Sequence, residues 1–186
     1  MRDNDIKYFF LALIACFTHT INAATIQAEL GENSSSVMPV GEAFSVEVSG
    51  LEFPESQGGG FNLSYDPSVL NVTDVAIDGL DTWTFVNDNG SIDNVNGELN
   101  DVLVSDFPGI SGDFNVATIS FLTVGAGTST LALTESLVNP WASDGIAIHP
   151  TQVSDTLVQV VPVPAAFWLL ASGLIGLLSV AKRKTI

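Results

Sequence analysis

Apolar and polar residues alternate one for one through Phe44-Ser45-Val46-Glu47-Val48, and again through Phe61-Asn62-Leu63-Ser64-Tyr65. Only an extended strand turns successive side chains to opposite faces, so this period of two commits the chain to half-buried sheet. Residues 25–30, 70–77, 83–86, 102–104, 116–124, 130–133 and 157–161 read as further short strands. Turn chemistry separates them. Gly41-Glu42 leads into the first alternating run. In Asp66-Pro67-Ser68, Pro67 presets φ and Asp66 bonds the backbone two residues on. Residues 54–60 read as a loop, with Gly58-Gly59-Gly60 as a bulge or plain loop rather than a hinge. Residues 87–97, rich in Asn, Asp and Gly, read as solvated turns. Helical spacing with caps appears nowhere in 24–160. About nine short strands with turns between them predict an all-β fold, an antiparallel sandwich of two sheets.

Charge is divided sharply along the chain. All five basic residues, Arg2, Lys7, Lys182, Arg183 and Lys184, lie in the end segments. Of 21 acidic residues only Asp3 and Asp5 do, which leaves 21 − 2 = 19 carboxylates and no Lys or Arg in residues 24–160. Such a surface cannot neutralise phosphates, so nucleic acid is excluded as a partner. The carboxylates read first as a solvated coat that keeps molecules apart by like-charge repulsion. The single cysteine, Cys16, lies outside this region, so the domain folds by burial with no disulfide.

The ends carry targeting signals. Arg2 and Lys7 flank an apolar run, Tyr8 to Phe17, and Ile21-Asn22-Ala23 ends in a small residue suited to signal peptidase. Residues 1–23 therefore read as a secretory signal peptide cut after Ala23. Leu13-Ile14-Ala15-Cys16 supports a competing reading, a lipobox with Cys16 lipidated, and both readings imply export. At the other end, residues 165–181 hold no charge. As a transmembrane helix they would span ~26 Å, a thin bilayer core. Lys182-Arg183-Lys184 then form a basic stop for the cytoplasmic side. Pro162 and Pro164 end any incoming strand just outside the membrane.

Pro162-Val163-Pro164-Ala165-Ala166, Trp168-Leu169, Ser172-Gly173-Leu174 and Gly176-Leu177, closed by Lys182-Arg183-Lys184, resemble the PEP-CTERM sorting signal of Gram-negative bacteria. Val163 stands where the namesake glutamate occurs, as in the subtype VPxPAAxWLxxSGLxGL. The resemblance implies processing near the proline motif by an exosortase, a membrane-embedded cysteine transpeptidase. It also implies passage through the inner membrane to the cell surface or extracellular matrix, in a setting of exopolysaccharide export.

Gly41-Glu42-x-Phe44-x-Val46-x-Val48, then Gly59-Gly60-Phe61-Asn62-Leu63-Ser64-Tyr65-Asp66-Pro67-Ser68-Val69-Leu70, are similar to the opening of cohesin-like domains. Ala117-Thr118-Ile119-Ser120-Phe121, Gly127-Thr128-Ser129 and Leu131-x-Leu133 resemble that family's later strands, in order. The resemblance implies a nine-stranded jelly-roll sandwich over 24–160, akin in fold to carbohydrate-binding modules. Cellulosomal cohesins bind dockerins on one flat sheet face, but no short motif maps that face onto residues here.

Catalytic constellations are thin. His149 is the lone histidine of 24–160 and reads as a loop residue, with no nucleophile elbow to serve. The domain is therefore expected to be non-enzymatic, with no catalytic residue assigned. Asp78, Asp81, Asp88, Asp93, Glu98 and Asp101 concentrate acids that calcium favours. None of their spacings fits a calcium loop, so they read as turn residues in preference to a calcium site; no metal-ligating residue is assigned, and calcium is the one cofactor left open. Trp83 and Trp141 are weighed as a sugar-stacking platform or as core, with core favoured. The expected organisation is 1–23 signal peptide, 24–160 sandwich and 161–184 sorting signal. Expected partners are signal peptidase, exosortase, the inner membrane, and a polysaccharide or an envelope protein. The leading functional expectation is an adhesive or structural envelope protein, with a carbohydrate-binding or protein-binding module as alternatives.

Overall fold

A computed structural model describes residues 23–78, 82–153 and 156–162, together with Leu169 and Ser172. Eleven strands run through the described residues: β1 Thr25–Leu30, β2 Val37–Pro39, β3 Ala43–Ser64, β4 Leu70–Ile77, β5 Ser91–Asp93, β6 Glu98–Thr123, β7 Gly127–Glu135, β8 Ala142–Ser143, β9 Ile146–Ala147, β10 Thr151–Val153 and β11 Thr156–Val161. The fold is all-β, as the alternation predicts.

Two strands organise the rest. β3 has 22 residues and β6 has 26, and they pair antiparallel from Ala43↔Leu122 to Ser64↔Glu98. Straight strands of that length would reach ~70–85 Å, far beyond a domain of this size. Register shifts at 48/49, 50/53, 53/56 and 56/58 bend the pair instead. Residues 43–50 of β3 lie between β1 and residues 115–122 of β6, with β10 and β4 outside them. Residues 58–64 of β3 lie between β7 and residues 98–105 of β6, with β11, β2 and β5 beyond. The folded-over ribbon thus supplies the middle of both layers. Most pairing is antiparallel, but β1–β10 and β11–β2 are parallel, which corrects the purely antiparallel expectation.

The inward residues of both layers form one core. Val46, Val48, Ile119 and Phe121 from the first layer meet Phe61, Leu63, Val102 and Leu131 from the second, all essentially buried. Phe44 stacks on Phe121 at 5.2 Å, and Tyr65 reaches the same ring edge-on at 5.5 Å. An aromatic group packs where the long strands bend. Phe53 lies 5.0 Å from Trp141 and 4.9 Å from Phe114, and Trp83 lies 5.1 Å from Phe114. Offset and edge-on rings of this kind add to the gain from buried area.

Three local expectations change. Residues 54–60 are not a free loop but the bulged middle of β3, because Gly58 and its neighbours keep pairing with residues 103–105 through the kink. Residues 102–104 and 116–124 belong to one continuous strand, β6, rather than two. Residues 83–86 form no strand: Trp83 turns inward and is fully buried, while Phe85 and Val86 lie exposed beside Ser105. The stretch 87–97 also holds β5 and a bridge from Asp88 to Leu103.

Candidate binding groove on the second layer

The outer face of the second layer carries a groove of about 230 Å³ over the glycine bulge. Gly58 and Gly59 form its floor, Leu103 and Ser105 one wall, and Asn139, Pro140 and Ala142 the other. The floor needs glycine. Gly58 has φ +143°, and a Cβ at Gly59 would overlap the Trp141 ring packed directly beneath. Of the two readings of this triplet, plain loop is ruled out: it stays paired with residues 103–105, and the register shift lies just before it at 56/58.

Polar side chains build the far wall. Ser136 is fully buried, and its Oγ accepts hydrogen bonds from the N–H groups of Val138 (3.2 Å) and Asn139 (3.1 Å). The Ser136 hydroxyl donates to Asp101 Oδ1 at 2.7 Å. Asp101 adopts a left-handed φ of 58°, and its N–H donates to Asn62 Oδ1 at 2.7 Å. A non-glycine residue holds such a conformation only where neighbours fix it. Gln57 and Asp144 close one end: Gln57 Nε2 donates to Asp144 Oδ1 at 2.9 Å, and Asp144 N–H donates to Gln57 Oε1 at 3.2 Å. Sequence reading passed over Asn62, Ser136 and Gln57, since a lone polar residue in a strand or turn carries no sign of its long-range partner.

Large apolar side chains stand exposed around the groove. Val86 donates its N–H to Ser105 Oγ, and Phe85 donates its own to the Ser105 carbonyl. Phe85 is 72% exposed, Phe107 74% and Leu137 94%. Val138 and Ile146 are exposed beside Asn139 and the β8–β9 hairpin. These side chains sit on segments that adjoin the groove in the chain or through hydrogen bonds.

The other candidates resolve differently. Trp83 and Trp141 are fully buried, so neither offers a face to a sugar; Trp83 Nε1–H donates to the Asn115 carbonyl at 2.9 Å. His149 is exposed, with Nδ1 3.4 Å from Glu135 Oε2. Glu135 Oε1 in turn accepts the Trp141 N–H at 3.0 Å. The turn acids are spent on local bonds. Asp66 Oδ1 accepts from the N–H (2.9 Å) and hydroxyl (2.6 Å) of Ser68, and these bonds hold its carboxyl below the ordinary carboxylate range. Asp93 is lowered likewise, chiefly by the Asn96 N–H. Asp78 accepts from Thr82, Asp88 from Gly90 and Glu98 from Asn100. Among the described residues no three acidic, histidine or cysteine side chains gather where they could share an ion. Asp81 lies outside the described residues.

Of the sorting residues, Ala23 is exposed just ahead of β1, and Pro162 is exposed just after β11. Val163, Pro164, Ala165, Ala166, Trp168, Lys182, Arg183 and Lys184 lie outside the described residues, as do Cys16 and nearly all of the expected transmembrane helix. Among the described residues no helix is long and apolar enough to cross a membrane.

No family model matches the chain, and no curated protein matches it. Solved structures do. A non-cellulosomal cohesin from the hyperthermophilic archaeon Archaeoglobus fulgidus superposes with a TM-score of 0.60 at 22% identity, over 75% of this chain and 92% of that one. A type II cohesin domain from the cellulosome of Acetivibrio cellulolyticus gives 0.57 at 15% identity, over 74% and 95%. The sixth cohesin of scaffoldin B from Acetivibrio cellulolyticus, solved in complex with a Cel5 dockerin, gives 0.56 at 13% identity, over 75% and 100%. At these identities the likeness assigns the fold. The chain has a cohesin-like β-sandwich.

Proposed function

We propose that this chain is an exported, non-enzymatic envelope protein whose sandwich, residues 24–160, recognises another protein through the outer face of its second layer. The observation that carries the reading is the groove over Gly58 and Gly59, open to solvent and ringed by exposed apolar side chains. Burying such side chains at a contact is favourable by roughly 25 cal/mol per Å². The cohesin-like fold supports it, since one structural neighbour was solved with a dockerin seated on it. Burial of Trp83 and Trp141 removes the aromatic platform on which a sugar-binding reading rested.

Delivery follows from the two ends. Signal peptidase cuts after Ala23, and an exosortase acts near Pro162-Val163-Pro164 once the apolar stretch 165–181 is in the inner membrane with Lys182-Arg183-Lys184 inside. The sandwich then serves at the surface as an adhesive or structural element, alongside exported polysaccharide. The test uses the full-length chain, purified in detergent, in a pull-down from host envelope extract and on a glycan array. An envelope protein is captured by the native chain and lost with Leu103→Arg, while no glycan is retained. Glycan retention that survives Leu103→Arg would contradict the reading.

A further inference from the structure

The last strand is stapled into its sheet right up to the tail. β11 lies between β7 and β2, and β2 runs parallel to it from Gln159↔Val37 to Val161↔Pro39. The Gln159 N–H donates to the Ser36 carbonyl at 2.8 Å, and the Val40 N–H donates to the Val161 carbonyl at 3.1 Å. Met38, Val158 and Val160 turn into the core from this pairing. Both ends of β2 are tied down. Ahead of it, Ser34 Oγ accepts the Ser45 N–H at 3.1 Å. Behind it, the fully buried Thr123 donates its hydroxyl to the Pro39 carbonyl and accepts the Glu42 N–H, each at 2.8 Å. Within the sandwich Val161 is the last residue so held, and Pro162 follows it exposed.

This arrangement leaves little free chain at the proline motif. Residues 162–164 alone separate Val161 from the charge-free run that begins at Ala165. Fully extended, they reach ~10 Å at most. An enzyme that cuts a chain grips it in extended form on both sides of the scissile bond, and here the residues ahead of the motif are β11 itself. Backbone locked in a sheet is cut through locally opened states, at a rate set by how often they form. Resting on the sorting reading above, we infer that the β2–β11 pairing gates processing of the tail: residues 159–161 leave β2 before the chain near Pro162 is cut. Such an opening spares the rest of the fold, because β2 pairs with β11 alone among the described strands. The gate sets how long the folded sandwich stays tethered.

The test follows processing of the full-length chain in its native host, by blotting for the sandwich and for an epitope placed after Ile186. Met38→Cys/Val160→Cys puts thiols on directly paired residues, at a spacing that suits a disulfide formed in the oxidising periplasm. The oxidised chain loses its epitope at least ten times more slowly than the native one, and added reductant restores the native rate. A spacer of about eight Gly and Ser residues between Val161 and Pro162 supplies free chain, so processing is fast with the disulfide intact. Thr123→Val removes both side-chain bonds at the Pro39 end and speeds epitope loss about fivefold or more. In the chain with the spacer the same substitution changes nothing, which separates opening of the gate from general destabilisation. Epitope loss at the native rate from the oxidised chain or from Thr123→Val would overturn the gate while sorting stands. Equal slowing by the disulfide with and without the spacer would overturn it too. No epitope loss from the native chain would overturn the gate and the sorting reading together.

Discussion

Asp93 shows how a single exposed acid holds a turn in this protein. Its Oδ1 accepts the N–H groups of Val95 and Asn96, each at 3.0 Å, and its Oδ2 accepts Asn96 Nδ2 at 2.7 Å. Those bonds favour the charged form and hold its carboxyl below the ordinary value of 3.8. A carboxyl lowered on folding contributes stability above the unfolded value, and that contribution is lost as pH falls through the folded one. Asp66 acts in the same direction. Protonating the remaining carboxylates relieves repulsion, so the turn effect has to be isolated by substitution. Urea unfolding at pH 5 and pH 2.5 should show the native chain losing more stability than Asp93→Asn, whose amide oxygen still accepts but does not titrate in this range. Parallel losses in the two proteins would remove the role assigned to this carboxylate. The turn at Asp66-Pro67-Ser68 was legible in the sequence because its partners lie two residues away, and the structure places those bonds as expected.

At the scale of elements, β4 pairs with β6 alone among the described strands, and a side chain serves its other edge. Asn94 Oδ1 accepts the Val72 N–H at 2.8 Å, and Asn94 Nδ2 donates to the Val72 carbonyl at 2.9 Å. The same Oδ1 accepts the Tyr65 hydroxyl at 2.7 Å, and burial pushes that hydroxyl's pKa up. Asn89 Nδ2 adds a bond to the Val75 carbonyl at 2.8 Å. An amide side chain presents a donor and an acceptor side by side as a peptide does, so Asn94, directly after β5, stands in for a neighbouring strand and ties that end of β5 to β4 of the other layer. Losing it leaves three partly buried groups unpaired, at ~1–3 kcal/mol each before water and relaxation compensate. Asn94→Leu should therefore destabilise the domain by ~2–4 kcal/mol. Amide hydrogen exchange should speed up first across 70–77; uniform acceleration would deny β4 this special dependence. None of this was legible beforehand. An Asn-rich stretch reads as solvated turns because its long-range partners are invisible in one sequence. The continuity of β3 was hidden similarly, since Pro54 and Gly58-Gly59-Gly60 are ordinary loop signals and only pairing with residues 103–112 shows them to be bulges.

For the whole molecule, alternation foretold the all-β class and most of the strands, because burial on one face is a local property of the pattern. The groove was not foretold. It arises where β3, β6 and the loop before β8 converge, and its two walls, 103–105 and 139–142, are 142 − 103 = 39 positions apart at most and 139 − 105 = 34 at least. Charge was legible from the start, whereas the tie of Asp144 to Gln57 of the groove appears only in the fold. The central claim is that this face meets a protein partner after export. Its most direct measurement is site-specific photo-crosslinking in the native host. A photoreactive residue replaces either Leu103, in the groove, or Ala76, exposed on β4 of the opposite layer. One epitope precedes Val160 and a second follows Ile186. The account predicts a discrete protein adduct from position 103 and none from 76, found in the surface fraction and carrying only the first epitope. Equal adducts from both positions, none from 103, or adducts confined to a doubly tagged inner-membrane species would contradict it.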